Sequence, residues 1–162
     1  MSVKPIPEGF HTLTPHIILK NASEAIEFYK KAFGAEEIFR MPTPDGKIGH
    51  AELKIGNSML MLCDEYPEMG CLSPQTIGNT PVTLSLYVEN ADDVFNTAIA
   101  AGATVKMPLA DQFWGDRYGQ VADPYGHCWS ICTHIKDMTP EEIAKASAEA
   151  FSKGDCGQAA QA

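Results

Sequence analysis

The chain contains the same arrangement of residues twice. Residues 16–39 (HIILKNASEAIEFYKKAFGAEEIF) read as a strand, a helix and a second strand, and residues 83–107 (TLSLYVENADDVFNTAIAAGATVKM) repeat that order. The clearest matches are Asn21-Ala22 with Asn90-Ala91 and Gly34-Ala35 with Gly102-Ala103. A long repeat that occurs only twice indicates two copies of one supersecondary module within a domain. Two such half-sheets side by side predict a curved cleft, and the residues lining it become the candidates for function.

Composition narrows the class of protein. The 162 residues are 44% hydrophobic and 20% charged, as expected of one globular domain. We expect no membrane span, because no apolar run reaches about 18 residues, and a cytoplasmic location, because the first residues lack the apolar core of a signal peptide. The formal net charge of −9 argues against a nucleic-acid partner and is compatible with a cationic ligand. The five cysteines include no CxxC pair, so packed, reduced thiols are expected.

The apolar periodicity and the turn residues give the predicted elements. In the first module, about residues 12–63, strands are predicted at 15–20, 36–41, 49–55 and 59–63, with a helix between Asn21 and Phe33. Residues 64–81 read as an exposed linker. The second module, about residues 82–134, has strands at 82–88, near Val105, at 118–122 and at 128–133, a helix at 91–101 and a loop at 109–114.

The two modules and the residues after them form the predicted domain. Thr139-Pro-Glu-Glu142 is a capping box that begins a C-terminal helix at 139–152. We expect a disordered tail at 154–162 and a single domain over residues 1–153. The predicted fold class is α+β, with two βαβββ modules forming curved mixed sheets around a cleft.

Strand alternation assigns the two faces of each sheet. The apolar row Leu84, Leu86 and Val88 is expected to pack against a helix, which turns the residues between them toward the cleft. The same rule places the following residues in the cleft: His16, Ile18, Lys20, His50, Glu52, Lys54, Thr83, Ser85 and Tyr87. Two further strands are apolar on both faces, and aligning their register with the repeat adds Met59, Met61, Cys63, Cys128, Ser130 and Cys132.

Three motifs carry a resemblance to a known family. These are EAIEFYKKAFGAEE, HAELKIGNSMLML and, from Trp114, WGDRYGQVADPYGHCW. Over about residues 12–153 the chain resembles the vicinal oxygen chelate superfamily, and within it the PhnB-like branch of the glyoxalase and bleomycin-resistance proteins. The resemblance implies a homodimer and a small-molecule ligand. It does not fix the chemistry, since this fold hosts both enzymes and drug-sequestering binders.

The resemblance also identifies where a metal would bind. Metal-dependent members hold a divalent ion with one residue from the first and one from the last strand of each module. Here those positions fall on His16, Met61, Thr83 and Ser130. Because three of these are poor ligands for such ions, we expect no cofactor and no metal at the usual position. A rearranged site from His16, His50 and Glu52 stays open, either as a three-ligand metal centre or as an acid–base pair.

Two functions therefore compete. The first is binding of a small organic molecule in the cleft without the usual metal. The alternative is a metal-dependent lyase, isomerase or transferase. Arg117 could clamp a carboxylate or phosphate, or form an internal ion pair with Asp116, and Trp114 could stack on a ligand or form a dimer contact. No catalytic residue is assigned, and the predicted ligand-binding residues are His16, His50, Glu52, Met61, Thr83, Ser85, Trp114, Arg117, Tyr118 and Ser130.

Overall fold

The computed structural model describes residues 3–152. The chain divides into two compact units, here called unit 1, which ends at Pro81, and unit 2, which begins at Val82. Each unit contains one four-stranded sheet. None of the described helices is long and apolar enough to cross a membrane.

Unit 1 has the predicted βαβββ order followed by short helical turns. Its elements are β1 (His16–Leu19), α1 (Ala22–Phe33), β2 (Glu36–Pro42), β3 (Ile48–Ile55), β4 (Ser58–Asp64), a 3-10 turn at Pro67–Met69 and α2 (Pro74–Ile77). The strand order is β1-β4-β3-β2. The first and last strands pair in parallel and the other pairs are antiparallel, so the sheet is mixed.

Unit 2 repeats this topology. Its elements are β5 (Thr83–Tyr87), α3 (Ala91–Ala101), β6 (Thr104–Asp111), β7 (Asp116–Ala122), β8 (Cys128–His134) and α4 (Pro140–Ser152). The strand order is β5-β8-β7-β6, again with the first and last strands parallel. The α+β class and the two βαβββ modules predicted from the repeat are confirmed.

The same sheet position in each unit supplies a partner for the start of the helix. The first backbone N–H of α1, on Ala22, donates to Asp64 Oδ1 at 2.8 Å, and that of α3, on Ala91, donates to Thr133 Oγ1 at 2.8 Å. These bonds satisfy an N–H group that a helix leaves unpaired at its N-terminus. Both helices end at a glycine with left-handed backbone, Gly34 and Gly102, which the repeat had matched with each other.

Burial follows the predicted strand alternation. In β1, Ile17 and Leu19 are buried whereas His16 is exposed, and in β3, Ala51 and Leu53 are buried. In β5 the apolar row is half-buried and the residues between are exposed. The buried face of each sheet carries the helix, and Phe95 of α3 lies directly over Gly119.

Two local predictions differ from the structure. The segment predicted as a loop at 109–114 is strand as far as Asp111, because β6 is an edge strand and such a strand tolerates Pro108 beside an irregularity in the pairing.

The predicted linker is structured around a buried Ser73, whose N–H and hydroxyl donate to Glu65 at 3.0 and 2.7 Å. Hydroxyl donors from Thr76 and Ser73 lower the pKa of Glu65 to about 2. The predicted tail at 154–162 lies outside the described residues.

Candidate functional site

The face of each sheet that does not carry the helix, here called the open face, contains most of the predicted site residues. Strand pairing shows which of them are neighbours. In unit 1, Met61 lies beside His16 on one side and Glu52 on the other. In unit 2, Ser130 lies beside Ser85 on one side and Gln120 on the other. The two units thus present the same three-strand row with different side chains.

The row in unit 1 contains an imidazole pair. The rings of His16 and His50 meet edge-to-face with centroids 5.7 Å apart, and His50 Nε2 lies 3.4 Å from Glu52 Oε1. Partial shielding of its ring from water, followed by the nearby His50, lowers the pKa of His16 below its ordinary value of 6.5. His16 is therefore a neutral hydrogen-bonding group near pH 7.

The row in unit 2 is a network of neutral groups. Ser130 is buried, and its hydroxyl lies 2.9 Å from the hydroxyl of Tyr118. Gln120 donates to the Tyr118 hydroxyl at 2.6 Å. Because each member has a partner within the network, these side chains are held in place before any ligand binds.

The pairing corrects one predicted equivalence. Thr83 was expected to occupy the position in unit 2 that His16 occupies in unit 1, but Thr83 pairs with Cys128. Ser85 pairs with Ser130 as His16 pairs with Met61, so Ser85 is the equivalent of His16. A two-residue shift keeps the same face of the strand, which is why alternation alone could not detect it.

The residues at the four positions where the resemblance places a metal do not fit a divalent ion. With the corrected register they are one imidazole, one thioether and two hydroxyls, on His16, Met61, Ser85 and Ser130. Divalent ions of this kind need several carboxylate or imidazole ligands. Across residues 3–152, moreover, no three His, Cys, Asp or Glu side chains are grouped so as to hold a metal, and this includes the rearranged set around His50.

Arg117 lies outside the open face. Its guanidinium contacts Asp92 in the first turn of α3, at 2.5 and 2.6 Å, and Asp111 at the end of β6, at 2.8 Å. These carboxylates raise its pKa. Of the two predicted roles the geometry favours the internal ion pair, but the partners are Asp92 and Asp111 and not the adjacent Asp116.

A buried carboxylate at one end of the open face of unit 2 was not predicted. Asp116 is 5% exposed and accepts hydrogen bonds from Tyr87 Oη at 2.8 Å and from Trp114 Nε1 at 3.2 Å, while His134 Nδ1 lies 2.8 Å from its other oxygen. Burial raises the pKa of Asp116, but the three partners outweigh burial and leave it below 3.8. The sequence showed Asp116 only as a neighbour of Arg117, since its partners are distant in the chain.

Aromatic rings surround this carboxylate. The ring of Trp114 contacts Phe113 and Tyr118 edge-to-face, at centroid distances of 4.9 and 5.5 Å. Trp114 and Tyr118 are half-buried, whereas Tyr87 is 66% exposed. This end of the open face therefore combines an apolar aromatic wall with fixed polar groups, as small-molecule sites commonly do.

Comparison with known proteins identifies the family. The model of the Glyoxalase/Bleomycin resistance protein/Dioxygenase superfamily matches residues 10–131. The chain belongs to this superfamily. An uncharacterized protein of Mycobacterium bovis is 46% identical over 146 residues, which cover 88% of this chain and 94% of that protein.

Solved structures share the fold. TioX from Micromonospora sp. ML1 is 28% identical, with a TM-score of 0.63 over 77% of this chain and 99% of TioX. A PhnB protein from Bacillus cereus, described as a putative 3-demethylubiquinone-9 3-methyltransferase, is 20% identical, with a TM-score of 0.56 over 78% of this chain and 100% of that protein. The likeness to the Bacillus cereus protein concerns the fold alone.

Proposed function

We propose that this protein binds a small organic molecule on the open faces of its sheets, without a metal ion at the usual superfamily position. The observation that carries the proposal is the donor set at the four metal positions. Three of the four side chains are a thioether and two hydroxyls, which are poor metal ligands but suit contacts with an organic molecule.

The polar groups on the open faces indicate the kind of ligand. Unit 1 offers the neutral His16 together with Glu52, and unit 2 offers the Tyr118–Ser130–Gln120 network beside the ring of Trp114. A few fixed polar groups beside an aromatic wall favour a ligand that has both a flat apolar part and hydrogen-bonding groups. Whether the two open faces form one cleft stays a prediction of the sequence.

Native mass spectrometry tests this proposal. Protein purified without chelator and without added metal should retain an organic ligand from the expression host or bind one from a panel of aromatic compounds. The variants Tyr118→Phe and His16→Gln should weaken that binding, since the first removes a hydroxyl and the second replaces the imidazole ring by an amide of different shape, and each keeps most of the side-chain volume. His11→Gln is the matched control, because His11 is exposed and precedes β1.

Divalent ions decide between this proposal and the enzymatic alternative. Zinc, nickel and manganese should leave the melting temperature of the protein unchanged, because an ion that binds the folded state raises it with concentration. One tightly bound equivalent that His16→Gln or Glu52→Gln removes would overturn the metal-free proposal. It would favour a metal-dependent lyase, isomerase or transferase instead.

We further propose a homodimer. In the edge strand β2, Ile38, Phe39 and Met41 are each about half exposed, with 53%, 48% and 47% of their surface accessible. An exposed apolar edge strand is a common site of association between chains. Light scattering at micromolar concentration should give twice the mass of one chain, and the variant Phe39→Lys should lower it. A single-chain mass for the wild type would contradict the dimer.

A further inference from the structure

The buried Asp116 occupies a position where the other module has an apolar side chain. The corresponding pairs Glu52–Met61 and Gln120–Ser130 align β3 with β7 and β4 with β8, and so align Ile48 with Asp116. Ile48 is 3% exposed. The same position in the same topology therefore accepts a buried apolar side chain, at no cost of removing a charge from water. A buried carboxylate at a position where the repeated module has an apolar side chain is a candidate for a functional role.

The carboxylate fixes the orientation of His134. Tyr87 and Trp114 donate to Asp116 Oδ2, and His134 Nδ1 lies against Oδ1. A neutral His134 in this contact carries its proton on Nδ1, so the lone pair is on Nε2. The His134 side chain is 52% exposed, and its Nε2 lies 3.1 Å from Oδ1 of Asp137, whose side chain is fully exposed.

Asp137 does not block Nε2 when His134 is neutral. An exposed ion pair contributes little, and a carboxylate oxygen facing a lone pair gains no hydrogen bond. Loss of the Nε2 proton thus releases Asp137 and opens Nε2 to a bound molecule. His134 and Asp116 pair across β8 and β7, and two-residue alternation puts His134 on the open face with Cys132 and Ser130.

We propose that His134 is a general acid–base group for the molecule bound on the open face of unit 2, and that Asp116 is its positioning residue. This inference rests on the proposed function for the molecule on which His134 acts. In the step, the Nε2 lone pair takes the proton of a hydroxyl or water. The O–H bond breaks, and its electron pair forms a bond from the oxygen to an electrophilic atom of the bound molecule, such as an acyl carbon. The bond from that atom to its leaving group then breaks, and His134 gives the proton to the leaving group.

The charged and titratable groups around His134 suit this role. They are Asp116 from β7, Asp137 after β8, Tyr87 from β5 and Cys132 on β8. Asp116 and then Asp137 raise the pKa of His134 above 6.5, while Tyr87 and Cys132 have pKa values raised to about 12 and about 11 and stay neutral. The raised pKa makes His134 a stronger base than an ordinary histidine, which suits removal of a proton from a hydroxyl or water.

A test that needs no natural ligand uses p-nitrophenyl acetate as the probe. His134 would remove the proton from the attacking water, with release of acetate and p-nitrophenolate. We expect His134→Gln to lower the hydrolysis rate by about tenfold or more, whereas His11→Gln leaves it unchanged. The midpoint of the rate–pH profile should match the His134 titration followed by NMR, and Asp116→Asn should shift both to lower pH.

Two results would contradict the role proposed for His134. An unchanged rate in His134→Gln overturns it, as does a His134 titration midpoint no higher than that of the exposed His11. If Asp116→Asn fails to fold, Asp137→Asn serves in its place, because a fully exposed side chain can be changed without loss of structure, and it should also lower the midpoint. All measurements use ligand-free protein, so a failure of the proposed small-molecule binding would be seen separately in the mass spectra.

Discussion

Unit 1 and unit 2 have the same strand order and the same strand pairing, but their open faces carry different chemistry. The central row is His16, Met61 and Glu52 in unit 1 and Ser85, Ser130 and Gln120 in unit 2. The helix-facing sides remain alike, with buried Leu53 and Leu62 in one sheet and Val121 and Ile131 in the other. The buried face and the turns therefore specify the fold of this module. The side chains of the open face can vary without loss of the fold, and so can be adapted to function.

The largest effect is expected at the buried position that Ile48 occupies in unit 1 and Asp116 in unit 2. Ile48→Asp should cost about 3–5 kcal/mol of unfolding free energy, because it buries a charge beside Asp64, which already accepts a hydrogen bond from the Ile48 N–H at 2.7 Å. Asp116→Ile should cost less, about 1–3 kcal/mol, because the exposed Tyr87 and His134 can turn to water. Urea unfolding measures both. Equal costs would show that unit 2 needs its carboxylate to fold.

Glycine-to-alanine substitutions in the two units should also differ in their cost to stability, by a smaller amount. Gly115 has φ of 98°, and an added Cβ would overlap the carbonyl oxygen of Lys136, whose N–H donates to Gly115 O at 3.0 Å. Gly115→Ala should therefore cost about 3 kcal/mol. Gly56 in the β3–β4 turn has φ of 57° and open space around it, so Gly56→Ala should cost about 1 kcal/mol. Thermal unfolding of the two variants measures this difference, because Gly56→Ala introduces backbone strain alone whereas Gly115→Ala introduces both strain and a steric clash.

The asparagines before the helices look equivalent in the sequence but should respond differently. Asn90 accepts a hydrogen bond from Asp93 N–H at 3.2 Å, whereas Asn21 makes no such cap with the described part of the chain. Asn90→Ala should lose about 1 kcal/mol, and Asn21→Ala should change stability by less than about 0.5 kcal/mol. Urea unfolding curves with equal midpoints for the two variants would contradict this assignment.

The smallest expected effects are opposite pH dependences in the two units. Because the pKa of His16 is lowered in the folded protein, His16 contributes to folding stability above pH 6.5. This contribution is lost as the pH falls through the pKa of the folded state. Because the pKa of His134 is raised in the folded protein, His134 contributes to folding stability below pH 6.5. This contribution is lost as the pH rises through the pKa of the folded state. Unfolding of His16→Gln and His134→Gln from about pH 5 to 9 should show differences from wild type that grow in opposite directions. If the stability of both variants changes with pH in parallel with that of the wild type, the prediction of opposite pH dependences is wrong.

Much of the fold follows from sequence because its determinants are local. The repeat, the left-handed glycines at Gly34 and Gly102 and the apolar rows predicted the modules, and most strand ends lie within two residues of the prediction. The loop predicted at 109–114 was wrong for residues 109–111, which follow Pro108 in β6. Whether that proline is tolerated depends on the position of β6 at the edge of the sheet, which residue order does not show.

The candidate site could be predicted only in part. Alternation placed His16, Glu52 and Ser130 on the open face, since period-two patterns survive in short strands. The register that makes Ser85 the equivalent of His16 depends on pairing between strands far apart in the chain. The cluster around Asp116 was missed for the same reason, because Tyr87, Trp114 and His134 come from three different segments and no local pattern marks them as partners.

The parallel pairing of the first and last strands in each unit has a consequence for the order in which the chain can fold. His16 of β1 pairs with Met61 of β4, roughly 45 residues later, and β1 is an edge strand with β4 as its one neighbour in the sheet. As the chain leaves the ribosome, β1 therefore waits until nearly the whole module has been made, and closing so long a loop carries an entropy cost. A nascent chain that stops before residue 58 has α1, β2 and β3 but leaves β1 without a partner. The same delay recurs for β5 and β8, so synthesis exposes an unpaired strand edge twice.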